Sequence, residues 1–82
     1  MEEYEFIVEY SFNVKQEVFV VRFLNGDSYA LKVADLPKKM ITKKPDWENA
    51  QISKDKNTLV YKAGSDLRQI LAHVIHSKGK LL

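Results

Sequence analysis

His73 and His76 lie three residues apart, a spacing at which one helical face can hold a metal ion if a third ligand joins. The chain has no cysteine and no His-Glu-x-x-His pattern. Both imidazoles flank an apolar stripe, where a solvated or edge-packed histidine is the ordinary occupant. No metal and no cofactor is expected. Glu3, Glu5 and Glu9 repeat along one face of an alternating segment, and side chains two apart on a strand stand roughly 6.5–7 Å from each other. General acid–base work needs two carboxylates converging in a cleft, so this strip reads as a solvated face. Ser11, Ser28, Ser53, Ser65 and Ser77 have no nucleophile-elbow context, and the glycines form no phosphate loop. The chain reads as a non-enzyme with no catalytic residues.

Lys38, Lys39, Lys43 and Lys44, with Trp47 close behind, make the best nucleic-acid pattern, that of a small nucleic-acid-binding regulator using this 38–47 loop and the basic C-terminus. Lysines can neutralise phosphates and an exposed aromatic ring can stack on a base. The competing reading is a solvated loop whose Trp47 is tucked into the core.

The elements that position these groups follow from periodicity. Tyr4, Phe6, Val8, Tyr10 and Phe12 alternate with Glu3, Glu5, Ile7, Glu9 and Ser11, which predicts a half-buried strand. A second strand follows from Glu17 to Leu24. A loop of Asn13 to Gln16 would set Tyr10 opposite Phe19, Val8 opposite Val21 and Phe6 opposite Phe23. At Leu24-Asn25-Gly26, a two-residue loop would put Tyr29, Leu31 and Val33 on the wrong face. A three-residue loop with Gly26 left-handed pairs Val21 with Tyr29 and Phe19 with Leu31. Asp35 to Ile41 suits one short helical turn capped by Asp35, with Pro37 in its first turn. Gln51 to Ser53 and Thr58 to Lys62 read as short strands about an Asp55-Lys56-Asn57 turn.

From Gly64 to Gly79 the spacing of Leu67, Ile70, Leu71, Val74 and Ile75 predicts a helix. Ser65 or Asp66 would cap it and Lys78-Gly79 would end it. Burial of that stripe would make Leu71→Ala cost about 2–5 kcal/mol. The fold class expected is α+β in one domain spanning residues 1–82. It comprises an antiparallel sheet of about five strands, the first three a meander, with a C-terminal helix packed on one face and one short helical turn.

The outer face of the meander would carry Ile7, Val18, Val20, Leu24 and Ala30, with Arg22 opposite Ile7 and Glu5 and Glu9 diagonal to it. A contiguous apolar patch with a charged rim marks either a surface covered by the 35–41 segment or a protein contact. Ile7, Val18, Val20, Arg22, Leu24 and Ala30 are therefore the candidate protein-binding residues, for another protein or a second copy of the chain as a homodimer.

Composition narrows the setting. The formal net charge of +2 is too small to argue for nucleic acid by itself. Glu2, Glu3, Glu5, Glu9 and Glu17 face only Lys15 at the N-terminal end, and the basic excess lies further on. The start is acidic, and no apolar run approaches the 18 or so residues of a membrane span. Without cysteine, a reducing compartment is expected, with the cytoplasm as the default.

The Phe-Leu-Asn-Gly-Asp turn and the Tyr-Lys-Ala-Gly-Ser-Asp-Leu segment resemble those of a family of small bacterial proteins catalogued as domain of unknown function 2442. The family pattern falls on Phe19, Val21, Phe23, Asn25, Gly26, Asp35 and Leu36, and then on Gly64, Asp66 and Leu67. Tyr61-Lys62 stands where that family often has Trp-Pro, and the acidic first strand and the basic-tailed helix exceed its usual outline. The resemblance implies a small α+β fold without known enzymatic activity and an antitoxin-like or adaptor role.

Overall fold

Phe19, Val21 and Phe23 alternate with Val18, Val20 and Arg22 in β2 (Val18–Phe23), and this strand forms the centre of the N-terminal meander. The computed structural model describes residues 6–82; Tyr4, Glu3 and Glu5, expected on the first strand, lie outside the described residues. β1 (Ile7–Asn13) and β3 (Ser28–Lys32) flank β2 in antiparallel pairing. The chain then makes two 3-10 turns, Val33–Asp35 and Lys38–Met40. A second meander follows: β4 (Gln51–Ile52), β5 (Thr58–Ala63) and β6 (Asp66–Leu71). The helix α1 (Ala72–Lys78) and β7 (Lys80–Leu81) complete the chain. The class is α+β, and the strands fall into two antiparallel sheets, one ordered β1-β2-β3-β7 and the other β4-β5-β6.

The second hairpin is the one predicted. Val21 opposes Tyr29 and Phe19 opposes Leu31. The Gly26 N–H donates to the Phe23 carbonyl and the Phe23 N–H to that of Asp27, with Gly26 at φ 96°, the geometry of a turn closed by a left-handed glycine.

The first hairpin differs by one loop position. Asn13 pairs with Val18, so the loop is Val14 to Glu17 and Tyr10 opposes Val21 instead of Phe19. Asn13 belongs to the strand because its side-chain carbonyl accepts the Gln16 N–H at 3.1 Å and starts the turn itself. The shift of two residues leaves the faces unchanged. A bulge between Ile7 and Glu9 then inserts Val8 and brings Ile7 opposite Phe23. That extra residue reverses the face of Ile7, which lies fully buried in the core and not on the outer face expected for it.

The largest correction concerns residues 64–71. Gly64 (φ 64°) and Ser65 form a two-residue hairpin turn between the Ala63–Asp66 pair, a recognised Gly-Ser connection. Asp66 to Leu71 therefore run as a strand, Ser65 and Asp66 cap nothing, and only Ala72–Lys78 of the expected stretch is helical. In strand geometry alternate residues change face. Ile70 is fully buried, while Leu67 and Leu71 are 70% and 40% exposed. The helix ends where expected, at Lys78, with the Gly79 N–H on the Ile75 carbonyl at 2.7 Å. Gly79 is required by crowding: a Cβ there would stand 2.6 Å from the Ile75 oxygen.

Inner-face residues of both sheets share one core: Ile7, Phe19, Val21, Phe23 and Leu31 from the first, Leu59, Tyr61, Ala63 and Ile70 from the second. Ile75 of α1 is buried with them, and His76 stacks on Phe23 at 4.3 Å and meets Tyr29 edge-on at 4.6 Å. The Asp35 to Ile41 segment expected to be one turn capped by Asp35 is instead split between two 3-10 turns without a side-chain cap; it contributes Leu36 to the core, beside Val33 at the start of the first turn.

These positions reverse the expected ranking of substitutions. Ile70→Ala and Ile75→Ala are each expected to destabilise by about 2–5 kcal/mol, the usual cost of emptying a packed site. Leu71→Ala is expected to cost less than about 1.5 kcal/mol, because much of its surface is already in water. Urea midpoints of the three variants check this; a Leu71→Ala loss equal to the other two would restore the long-helix arrangement.

Candidate functional site

The outer face of the first sheet is built from the residues of β1, β2 and β3 that alternate with the core set. Across it, Ser11, Val20, Ala30 and Lys80 stand in one row and Asn13, Val18 and Lys32 in the next. Glu9 opposes Arg22, and the two form an exposed ion pair. Val18, Val20 and Ala30 are half-buried by their neighbours, and Leu24 is 50% exposed beyond the row of Arg22. A shallow depression of about 150 Å³ runs between Glu9, Ser11, Val20, Arg22 and Ser28. The 33–41 segment does not lie over this patch: Leu36 is in the core, and the Met40 carbonyl accepts the Tyr61 hydroxyl at 2.9 Å. Of the candidate protein-binding residues, Val18, Val20, Arg22, Leu24 and Ala30 remain together at this surface and Ile7 does not.

The lysine loop has a different construction. The Asp46 N–H donates to the Lys62 carbonyl at 2.8 Å, and Pro45 bridges to Ala63. The loop thus follows the end of β5 and delivers Trp47 to the core. The indole stacks on Phe19 at 5.5 Å and lies 4.4 Å from Tyr61. Its ring is buried, and the Trp47 carbonyl accepts the Tyr10 hydroxyl at 2.7 Å. Burial, with the Asp46 charge adding to it, pushes the Tyr10 phenol up, so Tyr10 keeps the proton that it donates. Lys43 reaches Asp66 at 2.8 Å. Lys38, Lys39 and Lys44 are exposed.

Arg68 closes this loop, a role invisible while residues 66–71 are read as a helix. Its guanidinium donates to the Lys39 carbonyl at 2.9 Å, the Thr42 carbonyl at 3.0 Å and the Thr42 hydroxyl at 2.9 Å. Lys43 and Lys44 both take left-handed backbone, at φ 63° and 51°, which costs roughly 1–2 kcal/mol for a residue with a Cβ. The Arg68 bonds and the Lys43–Asp66 pair hold them there. The Gly64-Ser65 pair was the available cue to this arrangement, because a hairpin turn there puts Asp66 and Arg68 on one strand face.

A third surface, a groove of about 410 Å³, is lined by Asp46, Asn49, Gln51, Val60, Lys62 and Leu67. The Asn49 amide donates to the Asp46 carboxylate at 2.9 Å. These groups can hydrogen-bond a polar ligand, and sequence spacing hides them because they come from a loop and three strands. Among the described residues no three His, Cys, Asp or Glu side chains are grouped to hold a metal ion, and no helix is long and apolar enough to cross a membrane.

The loop clamp has a pH signature. The hydrogen bond and charge of Lys43, with Arg68 adding to them, hold the Asp66 carboxyl below the usual carboxylate range. A group lowered on folding stabilises the fold fully above its unfolded pKa, and that contribution is lost as pH falls through its folded value. Asp66→Asn is therefore expected to lower the neutral plateau slightly and to flatten part of the acid limb of stability below about pH 4, so that the two proteins converge at low pH. The remaining limb includes Asp55, which the Ser53 hydroxyl holds low. Urea unfolding across pH checks this; identical acid limbs in both proteins would remove the clamp from the account.

Comparison with family profiles, with curated proteins and with solved structures returned no match.

Proposed function

We propose that the chain is a non-catalytic protein-binding domain that meets its partner through the outer face of the first sheet. The observation that carries this reading is that Val18, Val20 and Ala30 stand side by side at the middle of a sheet face beside an exposed Glu9–Arg22 pair. A sheet face that only meets water has no need of adjacent apolar side chains there. An apolar centre with a charged margin is the usual composition of a protein contact. Leu24 extends the apolar area at the turn. An antitoxin-like partner or an adaptor in the cytoplasm is the setting that suits a small cysteine-free domain of this kind.

The nucleic-acid alternative has less support. Its aromatic member, Trp47, is enclosed by Phe19 and Tyr61, and Lys43 is engaged by Asp66. What remains is Lys38, Lys39 and Lys44 on an exposed turn and Lys78 and Lys80 at the exposed C-terminal end, a distribution that also serves solubility.

A photo-reactive residue placed at Val20 is expected to give one discrete cross-linked adduct in the native cells, and one placed at Lys54, on an exposed turn, none. Adding Arg22→Glu is expected to abolish the Val20 adduct with the urea midpoint unchanged. No adduct from Val20, or the same adduct from both positions, would overturn the assignment.

A further inference from the structure

The two sheets end in the edges of β1, β7, β4 and β6. A free edge is a row of unpaired N–H and C=O groups that natural chains shorten, bulge or cover. β4 and β7 have two residues each. β1 carries the bulge at Val8, and its Ile7 N–H is taken by the Lys56 carbonyl at 2.6 Å. β6 has six residues in unbroken register with β5, and Leu67 and Leu71 stand exposed on it.

The direction of its backbone groups follows from the turn. A two-residue loop makes the flanking Ala63–Asp66 pair hydrogen-bonded, and such pairs alternate along an antiparallel ladder. The Ala72 N–H donating to the Asn57 carbonyl at 2.9 Å continues that alternation. Asp66, Arg68 and Ile70 thus turn their backbone groups to β5, whereas Leu67, Gln69 and Leu71 turn theirs outward. The Leu71 carbonyl, at the N-cap of α1, opens the hydrogen bonding of the helix; among the described residues no strand, turn or loop backbone bond takes up the other outward groups.

We infer that the β6 edge pairs antiparallel with the β6 edge of a second copy of the chain, about a two-fold axis passing through Gln69. With the axis normal to the sheet, like faces stay on the same side, and the pairing can be centred on Leu67, Arg68, Gln69 or Ile70. Centring on Arg68 sets two guanidinium side chains directly opposite, which is repulsive. Centring on Leu67 or Ile70 leaves some of the outward groups unmatched. Centring on Gln69 sets Leu67 against the partner's Leu71 at both ends and Gln69 against its own copy, and it pairs both backbone groups of Gln69, the Leu71 N–H and the Leu67 carbonyl, leaving only the Leu67 N–H of the strand's outward groups without a partner. The two three-stranded sheets then become one continuous sheet, with the exposed leucines sharing a face. This inference is independent of the contact proposed for the first sheet.

Sedimentation equilibrium over a concentration series is expected to show a species of twice the chain mass. Leu67→Lys, at a position already in water, is expected to return the monomer with the far-UV circular dichroism unchanged. Gln69→Pro removes an outward N–H and leaves the β5 ladder in place, and it is expected to do the same. Gln69→Cys introduces the sole thiol of a cysteine-free chain. It is expected to oxidise to an interchain disulfide, since opposed Cα atoms in such a pair lie about 5.5 Å apart, within disulfide range. Val20→Glu is expected to leave the dimer intact. A monomer at every concentration overturns the inference, as does a dimer that survives Leu67→Lys and Gln69→Pro or is dissociated by Val20→Glu.

Discussion

Trp47 holds the two sheets together. Its indole lies between Phe19 of the first sheet and Tyr61 of the second, so one side chain from a loop supplies the apolar surface that neither sheet provides alone. Tyr10 and Tyr61 complete the junction by donating their hydroxyls to the Trp47 and Met40 carbonyls. A long loop buried at a sheet junction would otherwise carry unpaired carbonyls, and these two phenols satisfy them in place of water. At this chain length only a modest core is available, and much of its aromatic area is concentrated at that column.

The same junction explains why the lysine loop is shaped as it is. To place Trp47 inside, the chain from Met40 to Pro45 must turn sharply, and it does so through left-handed backbone at Lys43 and Lys44. Arg68 and Asp66 clamp the turn from β6. Positive charge that resembles a phosphate-binding cluster in the sequence is therefore partly engaged in holding the loop, and the aromatic residue beside it is a core residue. The outer side of the first sheet carries Val18, Val20 and Ala30 beside the exposed Glu9–Arg22 pair, and Leu67 and Leu71 stand exposed on β6.

The meander was legible because alternation carries its own register information. Phe19, Val21, Tyr29 and Leu31 could be matched by faces alone, and the Gly26 turn followed from that match. The candidate contact face was legible for the same reason, apart from Ile7. A bulge adds one residue without changing composition, so no pattern in the strand announces that Ile7 has changed sides. The Asp66–Arg68 clamp was hidden because Leu67, Ile70 and Leu71 satisfy a helical period as well as a strand flanked by a helix. Short apolar runs support both readings.

Local sequence by itself determined the Leu24–Gly26 turn, the inward facing of Phe19, Val21, Phe23 and Leu31, where the helix stops, and the absence of thiol chemistry. Each of these depends on neighbours a few residues away: alternation, a glycine that can be left-handed, a missing residue type. Tertiary structure alone decided that residues 66–71 are a strand, that Ile7 is core, that Trp47 joins two sheets, and that Arg68 closes the lysine loop. Those outcomes depend on contacts between segments far apart in the chain, where burial of Ile70, Tyr61 and Trp47 against a common core outweighs the modest local preference of any one stretch.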